Sequence, residues 1–226
     1  MATTKQGSLA ADATSFLAEN ENTVESLSGS PSEIRRQAYL LAEWARKRGV
    51  LLPDNYTVGL DKFQTRSTEH EVFLRTADRR VVKCTYPGAF GFVKDRLDGK
   101  PRKATPLYYL RRLELMNKVF GDDLVLEGVA FGTPQYGKKS DPMPFLIISQ
   151  SFIETVGEKF CEPSEQEIAD FMVSLGFSQL SDSVYQWYRE SDKIVVSDAK
   201  PANFIKSIRG VIPIDLLISK ITPATI

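Results

Sequence analysis

The sequence predicts an α+β fold, and two observations carry the prediction. Short apolar strand patterns face each other across tight turns, once within 71–85 and again within 194–216. Helical periodicity with cap and stop residues marks three other stretches, at 30–49, 106–121 and 164–176.

In chain order, Met1 to Gly29 is rich in Ala, Ser, Thr, Glu and Asn with few large apolar residues, so 1–29 is expected to be a mobile N-terminal arm. Ser30, Pro31 and Glu33 then read as a helix start with a capping box. Ile34, Ala38, Leu41 and Ala45 repeat at helical spacing beside Trp44, and Gly49 stops the run, which makes 30–54 a bracing helix with its exit. Glu71 to Leu74 and Val81 to Thr85 form the clearest strand pair, turning at Ala77 to Arg79. Alternation sets Val81, Lys83 and Thr85 on one face of the second strand and Val82 and Cys84 on the other. A lysine inside an apolar strand either meets a partner or lies on an edge facing water.

Pro87 to Arg102 reads as a loop, and a helix begins near Pro106 with Leu107, Leu110, Leu113 and Met116 on one face and Gly121 as its stop. Glu114 is its only acid; a solvated partner of Arg111 or Lys118 is the plain reading. Gly132 to Lys138 matches the G-x-x-x-x-G-K phosphate-loop string only superficially, because Lys139 follows and Pro142 and Pro144 forbid the required helix. It reads as a hairpin loop leading to the apolar strand Phe145 to Ile148. Ser164 with Glu167 makes another capping box ahead of Ile168, Phe171, Met172 and Leu175. Tyr185, Trp187 and Tyr188 lack interleaved basic residues, so they read as core and not as a base-stacking platform.

Composition excludes several functions. Lys and Arg number 29 against 29 Asp and Glu, which gives no reason to expect nucleic acid or an anionic membrane as partner. Cys84 and Cys161 are isolated, and no signal peptide or long apolar span is evident, so the chain is expected to be cytoplasmic and reduced. With His70 as the only histidine, a zinc site of nitrogen and sulfur ligands cannot be assembled, and most Ser-His and Cys-His hydrolases are excluded. His70, at a strand start, reads as a surface or packing residue.

The chemistry concentrates in IVVSDAKPANFIKSIRGVIPIDLL, from Ile194 to Leu217. An apolar run delivers Ser197 and Asp198, Asn203 follows five residues later, and a hairpin turning at Arg209 and Gly210 returns the chain to Asp215. Asn203 and Asp215 flank the hairpin, so both should reach one cation, as hard oxygen ligands of magnesium. Asp198 is then left to act as a base or to orient a nucleophile.

Asp198, Lys200 and Asn203 match the D-x-K-x-x-N catalytic loop of the protein-kinase superfamily, and Asp215 falls where its second metal-binding Asp stands. The chain resembles that superfamily, in the style of the short kinase-like domains of bacterial and phage polyvalent proteins. The resemblance implies a compact two-lobed fold, with an antiparallel N-lobe sheet and hinge over 55–155 and a reduced C-lobe over 156–226. It implies ATP and Mg2+ as cofactors, Asp198 and Lys200 as catalytic residues, and Asn203 and Asp215 as metal ligands. Lys83 becomes the strand lysine on the phosphates, Glu114 its helix partner, Val81 a contact of adenine, and Ser151 and Ile153 hinge residues whose backbone reads the base.

Three departures accompany the resemblance. Gln64 to Val72 stands where a glycine-rich loop would be and contains no glycine, which leaves Ser67, Thr68 or His70 to serve as a lid; related short domains keep a similar Glu-His-Glu-Val stretch. Val196 and Ser197 replace the usual His-Arg, and Leu216 and Leu217 the usual Phe-Gly. The sequence ends soon after Asp215, without the helices that hold polypeptide substrates, so the acceptor is expected to be a small molecule, a dedicated partner or the chain's own arm, at Thr3, Thr4, Ser8, Thr14 or Ser15. A nucleotide-binding pseudokinase and an AMP transferase use the same ligands and stay open as alternatives.

Overall fold

The computed structural model describes residues 7–20, 29–63, 67–94, 101–134, 141–157, 161–180 and 185–221. It is a mixed α+β structure whose sheets are antiparallel throughout, and it divides into two units, Met1–Asn117 with Asp122–Phe152 and Lys118–Gly121 with Ile153–Ile226.

The first unit opens with α1 (Gly7–Glu19) and α2 (Pro31–Arg48). The first of these lies within the stretch expected to be a mobile arm, and small residues explain the difference. Ala10, Ala13 and Leu17 recur on one helical face and are buried, while Asp12 accepts hydrogen bonds from Trp44 Nε1 at 2.8 Å and Arg48 at 2.6 Å on α2. Small residues let α1 come close both to α2 and to β6. At the start of α2, the Ser30 hydroxyl accepts the Glu33 N–H at 3.2 Å, but the Glu33 carboxylate turns to Arg36 and Gln37, so the expected capping box is made on one side only. Gly49, at φ 70°, ends the helix.

The sheet of this unit runs β1-β2-β3-β7-β6, built from β1 (Asp61–Lys62), β2 (His70–Arg75), β3 (Arg80–Thr85), β6 (Val125–Gly132) and β7 (Met143–Ser151). Between β3 and β6 lie the hairpin β4 (Phe92–Lys94) with β5 (Pro101–Lys103) and the helix α3 (Pro106–Phe120). Gly132 pairs with Met143, which makes β6 and β7 the arms of the expected hairpin; residues 135–140 of its loop lie outside the described residues.

The alternation expected on β3 is present. Val82 and Cys84 are buried with Phe73, Ala130 and Ile147 on one face, covered by Leu52, Tyr56, Leu60 and Phe145. Chain 50–52 crosses that face so closely that a Cβ on Gly128 would stand 2.3 Å from the Val50 carbonyl, a position only glycine can hold. The register slips between Leu126 and Gly128, and the bulge aims Glu127 at Arg75 (2.8 Å), Tyr56 (2.5 Å) and Ser149 (2.6 Å). On the opposite face Lys83 sits between Val72 and Ile148, and α3 packs there, because His70, which shares that face, meets Tyr109.

The second unit contains α4 (Glu165–Ser174), the sheet β13-β10-β9-β8 formed by β8 (Ser178–Gln179), β9 (Trp187–Arg189), β10 (Ile194–Ser197) and β13 (Leu217–Lys220), and the hairpin β11 (Phe204–Ser207) with β12 (Gly210–Pro213). The Ser164 capping box at α4 has both halves in place, with Ser164 Oγ accepting from the Glu167 N–H and the Glu167 carboxylate accepting from the Ser164 N–H. Of the three aromatics read as core, Trp187 is buried and Tyr185 and Tyr188 are only half-buried, while Phe171 stacks on Phe120 and meets Phe204 edge-on. Among the described residues no helix is long and apolar enough to cross a membrane.

Ile147 is fully buried in the sheet core. Replacing it with alanine removes three methyl-sized groups where the surroundings relax only partly, so Ile147→Ala should lower unfolding free energy by about 2–5 kcal/mol in a urea titration. Ser164→Ala, which removes one cap, should cost only about 1 kcal/mol. Equal losses would contradict the core assigned to this face.

Candidate functional site

In the second unit two antiparallel ladders bring the motif residues together. β10 pairs with β13 up to Ser197 opposite Leu217, and β11 pairs with β12 from Phe204 opposite Pro213. Asp198 and Asn203 leave and re-enter structure at the ends of these ladders, and Asp215 lies on the return between them. The Ile214 N–H donates to the Asn203 carbonyl at 2.9 Å, which closes the hairpin at its base. The hairpin turn falls at Ile208 and Arg209, with Ser207 opposite Gly210, one residue earlier than expected; Gly210 supplies a φ of 108° as the first residue of the return strand.

Asp198 has left-handed backbone, φ 58°, a conformation that Asp reaches more easily than most residues and that still costs about 1–3 kcal/mol. Asn203 holds it there. Its amide nitrogen donates to the Asp198 carbonyl at 2.7 Å and to the Asp198 Oδ2 at 2.8 Å, which uses both of its hydrogens. On the far side the Ala199 N–H donates to the Tyr185 carbonyl at 3.1 Å. Lys200 Nζ reaches both carboxylate oxygens of Asp198 at 3.1 Å. That pair is half-exposed, so it contributes orientation far more than stability. Asn203 is buried on a single turn of 3-10 helix, Pro201–Asn203, entered through Pro201. With its nitrogen committed to Asp198, the amide oxygen is the atom left to face a cation. This oxygen and the Asp215 carboxylate are hard donors of the kind magnesium takes.

The first unit carries Lys83 and Val81 on the same face of β3, Val81 opposite Gln150 and Lys83 opposite Ile148. Ser151 ends β7; its N–H and hydroxyl both donate to Asp123, at 2.9 and 2.5 Å. Ile153 is the first residue of the 153–226 segment of the second unit.

Glu114 has a partner that the expectation did not include. Its carboxylate accepts the hydroxyl of Thr14 on α1. Helix α3 is buried on more than one side: Tyr109 and Arg112 meet His70 and Glu69, while Leu107 and Leu110, two turns and one turn before Glu114 on its own stripe, are buried as well. The same contact, with a second from Thr14 to the Ala10 carbonyl at 2.8 Å, engages one of the arm hydroxyls proposed as self-acceptors.

Two charged groups of the first unit carry no signal that was read in the sequence. Glu69 and Arg112 form a buried ion pair, 2.6 Å between Oε2 and the guanidinium. Despite burial, Arg112 holds the Glu69 carboxyl down to about 2. Asp122, just after α3, has Oδ2 buried without a hydrogen-bond partner, and burial pushes its carboxyl up to about 7, with the Lys83 charge opposing the rise and Asp123 adding to it. The apolar phase of α3 includes Arg112, and that was the one readable sign of a buried charge on this helix.

Residues 35–221 match the model of a family described as serine/threonine/tyrosine kinase found in polyvalent proteins. No curated protein and no solved structure matches the chain.

The raised Asp122 carboxyl makes a pH prediction. The folded state holds this proton more tightly than the unfolded chain, so the stability it contributes is full below about 3.8 and lost as pH rises through about 7. Asp122→Asn should therefore raise the urea midpoint relative to wild type at about pH 8, and the difference should vanish near pH 4. A difference of equal size at both pH values would show that ionisation of Asp122 is not its origin.

Proposed function

The chain belongs to the family of serine/threonine/tyrosine kinases found in polyvalent proteins, and we propose that it is a magnesium- and ATP-dependent phosphotransferase. The observation that supports this reading most is the mutual arrangement of Asp198, Lys200 and Asn203, in which one carboxylate accepts from both partners and one amide keeps its oxygen for another ligand.

In this reading Asp198 orients an acceptor hydroxyl and takes its proton as the oxygen attacks the γ-phosphorus. The new O–P bond forms as the bond to the bridging oxygen breaks, and ADP leaves with that electron pair. Lys200 steadies the transferred group, Lys83 holds the nucleotide phosphates, and Asn203 and Asp215 are the ligands of the metal. Bound magnesium would neutralise charge on the phosphates. Val81 contacts the adenine, and the backbone of Ser151 and Ile153 reads its edge. The acceptor is a small molecule, the chain itself or a dedicated partner; of the arm hydroxyls, Thr14 is engaged with Glu114.

Thermal shift tests the metal assignment. MgATP at a hundredfold excess over Kd should stabilise wild type by about 2.7 kcal/mol. Asp215→Ala should lose the magnesium dependence of that shift; an unchanged shift would remove Asp215 from the metal site. Parallel incubation with γ- and α-labelled ATP tests the chemistry. Wild type should incorporate the γ label only, and Asp198→Asn should bind MgATP yet transfer nothing. Incorporation of α label would make it a nucleotidyl transferase, and binding without any incorporation a pseudokinase.

A further inference from the structure

The helix α3 is fastened to the segment that enters β2 by charges in the order opposite to the strand lysine and helix glutamate that the kinase resemblance implies. Here the acid stands just before the strand and the base on the helix. Arg112 is 4% exposed and Glu69 9%, and they meet as a fork, the two guanidinium nitrogens donating to Oε1 at 3.2 Å and Oε2 at 2.6 Å. Glu69 Oε1 also accepts the Phe92 N–H at 3.0 Å. Gly91, at φ 74°, makes room for that carboxylate, since a Cβ there would lie 2.5 Å from Oε1. Beside the fork, buried His70 Nε2 and Tyr109 Oη are hydrogen-bonded at 2.6 Å, and the Ser67 hydroxyl accepts the N–H groups of Glu69 and His70. The helix is also held at its ends. Gln37 on α2 accepts the Leu107 N–H at 3.2 Å, and the Asn117 amide exchanges two hydrogen bonds with the Leu124 backbone, at 2.7 and 2.9 Å.

A buried ion pair is a poor source of stability, because desolvation offsets much of its attraction and an apolar pair of the same volume does as well. What such a fork fixes well is geometry. Glu69 and His70 close the segment that leads into β2, and two residues on Val72 pairs with Lys83. We infer that Glu69 and Arg112 are positioning residues that hold α3 permanently docked and set the place of the segment before β2 relative to Lys83. The inference rests on the reading of Lys83 as the phosphate-holding lysine.

The test compares full-length wild type with Glu69→Gln/Arg112→Met, which neutralises both members, and with Arg112→Lys, which keeps the charge and loses the fork. The single neutral variants leave one charge buried and should melt lower or fail to fold. The double variant should melt within a few degrees of wild type, while KM for MgATP rises about tenfold or more and amide exchange over 67–72 and 106–112 quickens by a similar factor. Arg112→Lys should show the same rise in KM if the double variant does not fold. Wild-type KM and wild-type exchange in either folded variant would reduce the pair to a structural contact and overturn the inference. Should wild type itself neither bind MgATP nor transfer phosphate, the kinase reading fails, and the exchange data alone decide whether the lock exists.

Discussion

The two hydrogen bonds from the Asn203 amide to Asp198 are the constraint on which the arrangement of Asp198, Lys200 and Asn203 depends. Asp198 stands at φ 58° immediately after a strand that would otherwise carry it straight on. Without a donor on its own carbonyl and another on its carboxylate, the residue would relax to the β or right-handed region, and its side chain would no longer meet Lys200. Asn203 can give both bonds because Pro201 enters a single 3-10 turn with φ already set, and because the hairpin beginning at Phe204 is closed behind it by Ile214. Local strain is thus tolerated at one residue because two ladders on either side over-determine it.

The bonds from the Asn203 amide to Asp198 were not foreseen, since Asn203 was read as a metal ligand. The order of Asp198, Lys200 and Asn203 within six residues was legible, because it depends on neighbours in the chain. The same holds for the α4 capping box and for the alternation of Val82 and Cys84 against Val81 and Lys83. Proline and glycine placed the helix ends at Pro31, Gly49 and Gly121 for reasons of backbone geometry alone.

What could not be read depends on placement in three dimensions. Helix α1 buries only small residues and one leucine against α2, and composition gives such a helix almost no weight. At Ser30 the cap was readable, but not that Arg36 would take the Glu33 carboxylate away from it. The contact of Glu114 with Thr14 depends on where α1 docks, which spacing along α3 does not contain. Arg112 repeats with Tyr109, Leu113 and Met116, so it had to be buried, and a buried arginine needs a carboxylate from elsewhere; Glu69, forty-three residues earlier, supplies it.

The two ion pairs of the two units make opposite use of the same attraction. Lys200 and Asp198 are 45% and 41% exposed, and water screens their attraction enough that the ammonium can exchange Asp198 for another anion at little cost. Glu69 and Arg112 are sealed in, and neither can leave without stranding the other in a medium that solvates charge poorly. In the proposed mechanism Lys200 hands its partner over to a transferring phosphoryl, which suits the first setting, and a pair that only holds position suits the second. Burial separates the residues that can take part in the chemistry from those that hold it in position, and the sign of a charge alone does not.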